Sequence, residues 1–373
     1  MNARVAWREV GIFLGLTFAL TYLLDLFIWR TVGYRPVPAL GILLQLQMLI
    51  PAFCAILLQS FCFKSSPIYF RQKLGRPRII FYFFLFYAMF YAVVGVLAPF
   101  TSEQATIRLL SLATQVMTIG GLLLTVAVSI ASRGAPLARA GLSWGRFRYY
   151  LLFGLLMVGI YGGMTGLNVL FGLGQAVDVK VFISAASGGR PTGMEGLSPA
   201  VILAFTGVQS VLLAPLIALL IAFGEEYGWR GYLQKELIKL GVVRGFLLLG
   251  VIWGIWHAPV IMMGHNYPGY PVLGVFLMTA YTIALAFIFG LAVLRSGSVW
   301  LAAFLHALNN QAYSFFTTLV YKPNDPVFSF GIGIYGLLVF AIIVALLLWR
   351  WPWWQALSPA ASAQGAPNGP AGR

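Results

Sequence analysis

Glu225 and Glu226 stand side by side at the end of a run, Pro199 to Gly224, that contains no charged residue, and Arg230 follows four positions later. Ionisable groups at a membrane boundary or inside it cost several kcal/mol, so they mark a functional site before anything else is known. If the helix continues past Gly224, Glu226 and Arg230 are i, i+4 neighbours on one face, while Glu225 points about 100° away. Arg230 then neutralises Glu226 and leaves Glu225 free to face a cavity. Desolvation and the nearby arginine act on that carboxyl in opposite senses, a balance that can poise it as a general base. The competing reading is a membrane-edge charge cluster that only anchors the helix.

Two histidines further on lie in equally apolar settings. His257 closes Trp253-Gly-Ile-Trp-His257 and is followed by Pro259, which cannot donate to the helix ladder and tends to kink it beside the ring. Trp253 is one helical turn earlier, on the same face as His257. His306 begins His-Ala-Leu-Asn-Asn, which puts His306 and Asn310 on one face. An imidazole and a carboxamide in a dry place can supply two donors to a developing oxyanion. Each could instead serve packing, His257 as a neutral core histidine and the His306 segment as interhelical glue. His265 sits in a short neutral connector beside Asn266 and Gly269 and is read as an extracytoplasmic surface residue without chemistry. Asp25, alone in the first span, is read as a structural partner of a neighbouring helix.

These residues need helices that cross a bilayer to hold them. The chain of 373 residues is 60% hydrophobic and only 9% charged, with a mean hydropathy of +0.89. Soluble domains carry about 25% charged residues, so this chain has too few for a water-facing surface. Runs near the length that spans about 30 Å of hydrocarbon recur throughout, and the alternation of a membrane barrel is absent. The expected fold is all-α, a polytopic bundle of about ten spans near 10–29, 38–63, 79–99, 109–131, 149–172, 199–224, 245–263, 271–294, 298–320 and 330–350. The span 298–320 is the least apolar and requires His306, Asn309, Asn310 and Gln311 to face the protein interior. The first run is full length and lacks a small-residue cleavage site, so no cleavable signal peptide is expected.

The net charge of +15 is unevenly placed. Residues 64–78 carry Lys64, Arg71, Lys73, Arg76 and Arg78, and 132–148 carry Arg133, Arg139, Arg146 and Arg148, neither with an acid. Basic connectors stay in the cytoplasm, which puts both termini inside and makes the span number even. A pI near 10 therefore reflects juxtamembrane charge rather than nucleic-acid binding. Cys54 and Cys62 are eight residues apart on one expected helix, too far to bridge, and form neither a disulfide framework nor a metal site. Residues 351–373, rich in Ala, Pro and Gly from Ser358 onward, read as a disordered tail.

In order, Glu225-Glu226-x-x-x-Arg230, Trp253-x-x-x-His257 and His306-x-x-x-Asn310 resemble the motifs of the CAAX protease and bacteriocin-processing family of intramembrane proteases, the Abi family. Trp253 stands where that family usually has Phe. The resemblance covers about 199–320, the expected catalytic core. The rest divides into motif-free helices over 1–172, an extracytoplasmic connector at 173–198 and a last membrane helix within 321–350. The resemblance implies a helical protease whose site opens toward the cytoplasmic side. It assigns Glu225 and His257 to activating a water, His306 and Asn310 to the oxyanion, and Glu226 and Arg230 to holding the site. Glu225, His257 and His306 could also complete a three-ligand zinc site, or Glu225 could act without metal; the residues leave both open. No His-Glu-x-x-His, Gly-x-Ser-Gly or Gly-x-Gly-Asp marks another intramembrane protease class.

The expected function is hydrolysis of membrane-associated or lipidated peptides by a multi-pass protein of a bacterial plasma membrane, with lipid and peptide or protein substrates as partners. The alternative is a non-catalytic immunity or peptide-binding scaffold of the same fold. Transport with Glu225 and the histidines as a proton relay is the third reading. It is weakened by the lack of internal repeats.

Overall fold

In hydrocarbon a backbone must satisfy its own polar groups, and the apolar runs accordingly fold as helices. The computed structural model describes residues 4–349 apart from 102, 133, 134, 189 and 190. The expected disordered tail at 351–373 lies outside the described residues. Helices α1 (Trp7–Thr31), α2 (Pro38–Phe61), α3 (Arg78–Leu97) and α4 (Gln104–Ala131) precede a short α5 (Ala135–Ala140) and the long α6 (Arg148–Leu170). A strand β1 (Gly174–Ala176) and α7 (Val179–Ala186) lead to a segmented rod. It comprises α8 (Pro199–Val208), a π turn (Gln209–Leu213), α9 (Ala214–Ile217), α10 (Leu219–Glu226), a second π turn (Tyr227–Leu233) and α11 (Gln234–Leu237). Then come α12 (Val242–Trp256), α13 (Ala258–Met262), α14 (Pro271–Ser296), α15 (Val299–Ser314) with a π turn (Phe315–Val320), β2 (Tyr321–Pro323) and α16 (Ile334–Trp349).

Among the described residues, seven helices are long and apolar enough to cross a membrane, and α12 and α16 are shorter apolar helices. The all-α polytopic bundle is thus the observed architecture, and among the described residues its one sheet is the antiparallel pair β1–β2. The connectors sort into two sets that touch among themselves. At one end Tyr34 bonds His265, Tyr267 donates to Ile332 O (2.8 Å), Asn168 donates to Phe330 O (2.8 Å), and β1 pairs with β2. At the other, Arg76 donates to Ala131 O (3.1 Å), Trp300 to Leu142 O (3.1 Å) and the Ala6 amide to Glu236 (2.9 Å). This sorting follows if α1, α2, α3, α4, α6, the α8–α11 rod, α12–α13, α14, α15 and α16 each pass once between the ends, ten passes in all. Arg76 and its neighbours make the second end the basic one.

The core centres on α2, α10, α12, α14 and α15. Gly224 and Gly228 let α10 and its π turn press against α2: a Cβ at Gly224 would sit 2.5 Å from Met48 O, and one at Gly228 2.5 Å from Pro51 Cβ. Small residues four apart are how helices approach closely in membranes. The consequence here is that α2 reaches the residue next to Glu225. Cys54 is buried, Cys62 exposed, and both are free. Asp25 does not find the partner expected of it. It is buried with neither carboxyl oxygen hydrogen-bonded, so no structural pairing accounts for it.

Candidate active site

The rod departs from a plain α-helix where the acids lie. Glu225 and Glu226 end α10, and the following π turn carries Arg230. Such turns shift side chains out of regular register and are frequent at functional sites. The i, i+4 pairing still forms: Arg230 Nη1 lies 3.0 Å from both oxygens of Glu226, and both side chains are fully buried. The guanidinium also stacks 4.2 Å over the Trp253 ring, a cation–π contact that gains strength where water is excluded.

Glu225 faces away from that pair, as the helical geometry requires. Its Oε2 accepts from Trp253 Nε1 at 2.7 Å, and its Oε1 is 3.9 Å from His306 Nε2. His306 Nδ1 donates to Glu226 Oε1 at 2.8 Å, so the ring bridges the two adjacent carboxylates and presents Nε2 to Glu225. On α12, Pro259 ends the regular helix at the position expected, and His257 occupies the break before α13. Its Nδ1 lies 2.8 Å from Trp253 O. A carbonyl only accepts, so Nδ1 carries the proton and, in the neutral ring, Nε2 keeps its lone pair. Trp253 thereby orients both Glu225, by its indole, and His257, by its carbonyl.

These groups line one cavity of about 290 Å³ that includes Glu225, Trp253, His257, His306 and Asn310. Every candidate site residue except the structural pair Glu226 and Arg230 is on it. Glu225, His257 and His306 are buried, whereas Asn310 is exposed at the end of the row and does not face a closed interior. Its neighbour Asn309 is buried, accepts from Tyr161 and Tyr281 (2.7 Å each), and donates to Asn310 Oδ1 at 3.2 Å. That bond occupies the Asn310 oxygen and leaves its amide hydrogens for a ligand.

Two cavity residues escape the motif reading. Gln47 of α2 is buried, lines the cavity, and its Nε2 has no hydrogen-bond partner. Its signal was present in the sequence: a polar side chain in a leucine-rich span, opposite glycines spaced four apart. His265, read as a bare surface residue, is half-buried, bonded by Tyr34 and part of the cavity wall. Burial pushes its imidazole down to about 4.

A zinc ion would have to use the donors that remain free. His306 Nδ1 is committed to Glu226 and His257 Nδ1 to a carbonyl, leaving Glu225 and two Nε2 atoms. Among the described residues no three His, Cys, Asp or Glu side chains converge on one ion position. The three therefore do not fit a zinc site as arranged.

Comparison with known proteins falls on the segment that holds these residues. Residues 207–312 match the family model for Rce1-like, type II CAAX prenyl endopeptidase Rce1-like. No curated protein and no solved structure matches the chain. The matched segment runs from α8 through most of α15 and holds all seven motif residues. The match at residues 207–312 is to the CAAX protease and bacteriocin-processing family to which the three motifs pointed.

Proposed function

We propose that this protein is an intramembrane endopeptidase in which Glu225 activates water for attack on a peptide carbonyl. The observation that carries this reading is the Glu225 carboxylate itself. It is buried on a cavity, fixed at one oxygen by Trp253 (2.7 Å), with its other oxygen 3.9 Å from His306 Nε2. A water hydrogen-bonded to both at about 2.8 Å fits beside that pair.

Glu225 takes a proton from this water as the oxygen bonds to the carbonyl carbon. His257, its Nδ1 anchored on Trp253 O, offers Nε2 as a second acceptor that orients the water. The oxyanion receives hydrogen bonds from the Asn310 amide and from His306 when Nε2 carries a proton. The Glu225 carboxylic acid then protonates the departing amine as the C–N bond breaks. Glu226 and Arg230 do no chemistry in this scheme; they fix His306 and the Trp253 ring. General base catalysis of this kind is worth about 10²–10⁴ in rate.

The test is cleavage of a membrane-associated peptide library by purified protein, beside Glu225→Gln, each with and without chelator. Cleavage by the wild type alone is expected, unchanged by chelator. Loss of wild-type cleavage on chelation would overturn the metal-free scheme. Cleavage retained by Glu225→Gln would remove Glu225 as base, and no cleavage by either would favour a peptide-binding or immunity protein.

A further inference from the structure

The cavity has a direction. Glu225, His257 and His306 form its inner end, and His265, Asn266 and Ile332 its outer end. The last three belong to connectors 263–270 and 321–333, both at the end of the bundle opposite Arg76. None of its lining residues comes from the basic-end connectors 62–77, 132–147 or 238–241. Asn310, the exposed member of the catalytic row, lies on the same outward half of α15.

The two ends differ sharply in charge. At the cavity end, connectors 32–37, 98–103, 171–198, 263–270 and 321–333 hold Arg35, Lys180, Arg190 and Lys322 against Glu103, Asp178, Glu195 and Asp325, a balance of zero. At the other end Lys64, Arg71, Lys73, Arg76, Arg133, Arg139, Arg146 and Lys239 lie in connectors without a single acid. Lysines and arginines remain on the cytoplasmic side, and moving each across costs about 2.3 kcal/mol per 100 mV of membrane potential. The bundle therefore inserts with its basic end inside.

From these two observations we infer that the catalytic cavity opens to the extracytoplasmic face, and that its substrates are polypeptide segments presented there. This reverses the cytoplasmic opening implied by the family resemblance. The substrate half of the inference rests on the proteolytic reading above; the direction of the cavity does not. The wall chemistry fits such a substrate. Beside the catalytic row the wall combines apolar Met48, Val260 and Met278 with uncharged polar Gln47, Tyr281 and Tyr313, with His265 and Asn266 at the rim and no lysine, arginine or aspartate. An extended segment with uncharged side chains, translocated or anchored in the outer leaflet, is what it would accept.

Two arms test this in intact bacterial spheroplasts. In the first, a membrane-impermeant maleimide is applied to the wild type, whose exposed Cys62 reports the basic end, and to Asn324→Cys in a Cys62→Ala background. Asn324 is exposed in the connector that contributes Ile332. Labelling of Asn324→Cys in intact spheroplasts is expected, with Cys62 reacting only after permeabilisation; the reverse pattern overturns the inference. In the second arm a randomised peptide tail is attached to a single membrane helix so that it emerges on either face. Cleavage of outward tails alone supports the inference. Cleavage of inward tails, alone or as well, overturns it while leaving the protease reading intact. If neither tail is cut the protease reading fails, and the labelling still decides the direction of the cavity.

Discussion

Glu225 and Glu226 are chemically identical neighbours, yet their surroundings predict opposite failures. Glu226 is fully buried and serves as counter-charge to Arg230, also fully buried, at 3.0 Å. Glu226→Gln keeps an acceptor for His306 Nδ1 but leaves the guanidinium buried without a carboxylate, a loss of about 3–5 kcal/mol. Arg230→Met leaves Glu226 with only His306 and also removes the stack on Trp253, so its cost falls in the same range. The double variant Glu226→Gln, Arg230→Met buries neither charge of this pair and leaves Glu225 as the buried carboxyl. It forfeits mainly the cation–π contact, worth about 2 kcal/mol when desolvated. The two changes should therefore be far from additive, with a coupling of about 3 kcal/mol or more. Unfolding of the purified protein in mixed micelles, followed by tryptophan fluorescence, measures all four members of this cycle. Glu225→Gln is the control: Trp253 Nε1 can still donate to the amide oxygen, and loss of one of two adjacent buried charges relieves repulsion. It should unfold close to the wild type. A double variant as unstable as the sum of its parents would refute the claim that Arg230 exists to neutralise Glu226.

Three further outcomes follow from the geometry. Asn310→Ala should lower kcat by about 10²–10³ with little change in KM, because an oxyanion donor acts in the transition state; an equal rise in KM would make it a binding residue. Gly224→Ala should give little folded protein, since its Cβ would lie 2.5 Å from the Met48 carbonyl and 2.8 Å from Leu49 Cα, both backbone; normal yield and activity would mean that α2 need not touch the rod there. His265, with its imidazole held down to about 4 against about 6.5 unfolded, gives stability that is full above pH 6.5 and falls as pH drops toward 4. In unfolding measured across that window, His265→Gln should flatten the slope, and an unchanged slope would place the titration elsewhere.

The spans were legible because hydrocarbon imposes a length. The expected 271–294 became Pro271–Ser296, and 38–63 became Pro38–Phe61. What did not show was anything a hydropathy window cannot see. Helices α5 and α7 are too short to register against ten long runs. The π turn at Tyr227–Leu233 changes the helical register, which no hydropathy average records. Pro259 did announce the break at His257, because a missing amide is a property of one residue and not of its neighbourhood.

The site divides along the same line. Contacts within one helix could be read from spacing: Glu226 with Arg230, and Trp253 turned toward His257. Contacts between helices could not. That His306 joins Glu226 at 2.8 Å while showing Nε2 to Glu225, or that the Trp253 indole holds Glu225, depends on how α10, α12 and α15 cross. The same limit explains the two residues that were passed over. Gln47 and His265 lie outside the motifs, on α2 and on a connector, and reach the cavity only because Gly224 admits α2 and Tyr34 holds the loop inward. Motif spacing thus selects the residues we propose to react, whereas the rest of the cavity wall is chosen by packing. The direction of the cavity belongs to the second kind: each charged connector was visible in the chain, but which end the catalytic row faces became visible only with His265 and Ile332 in its wall.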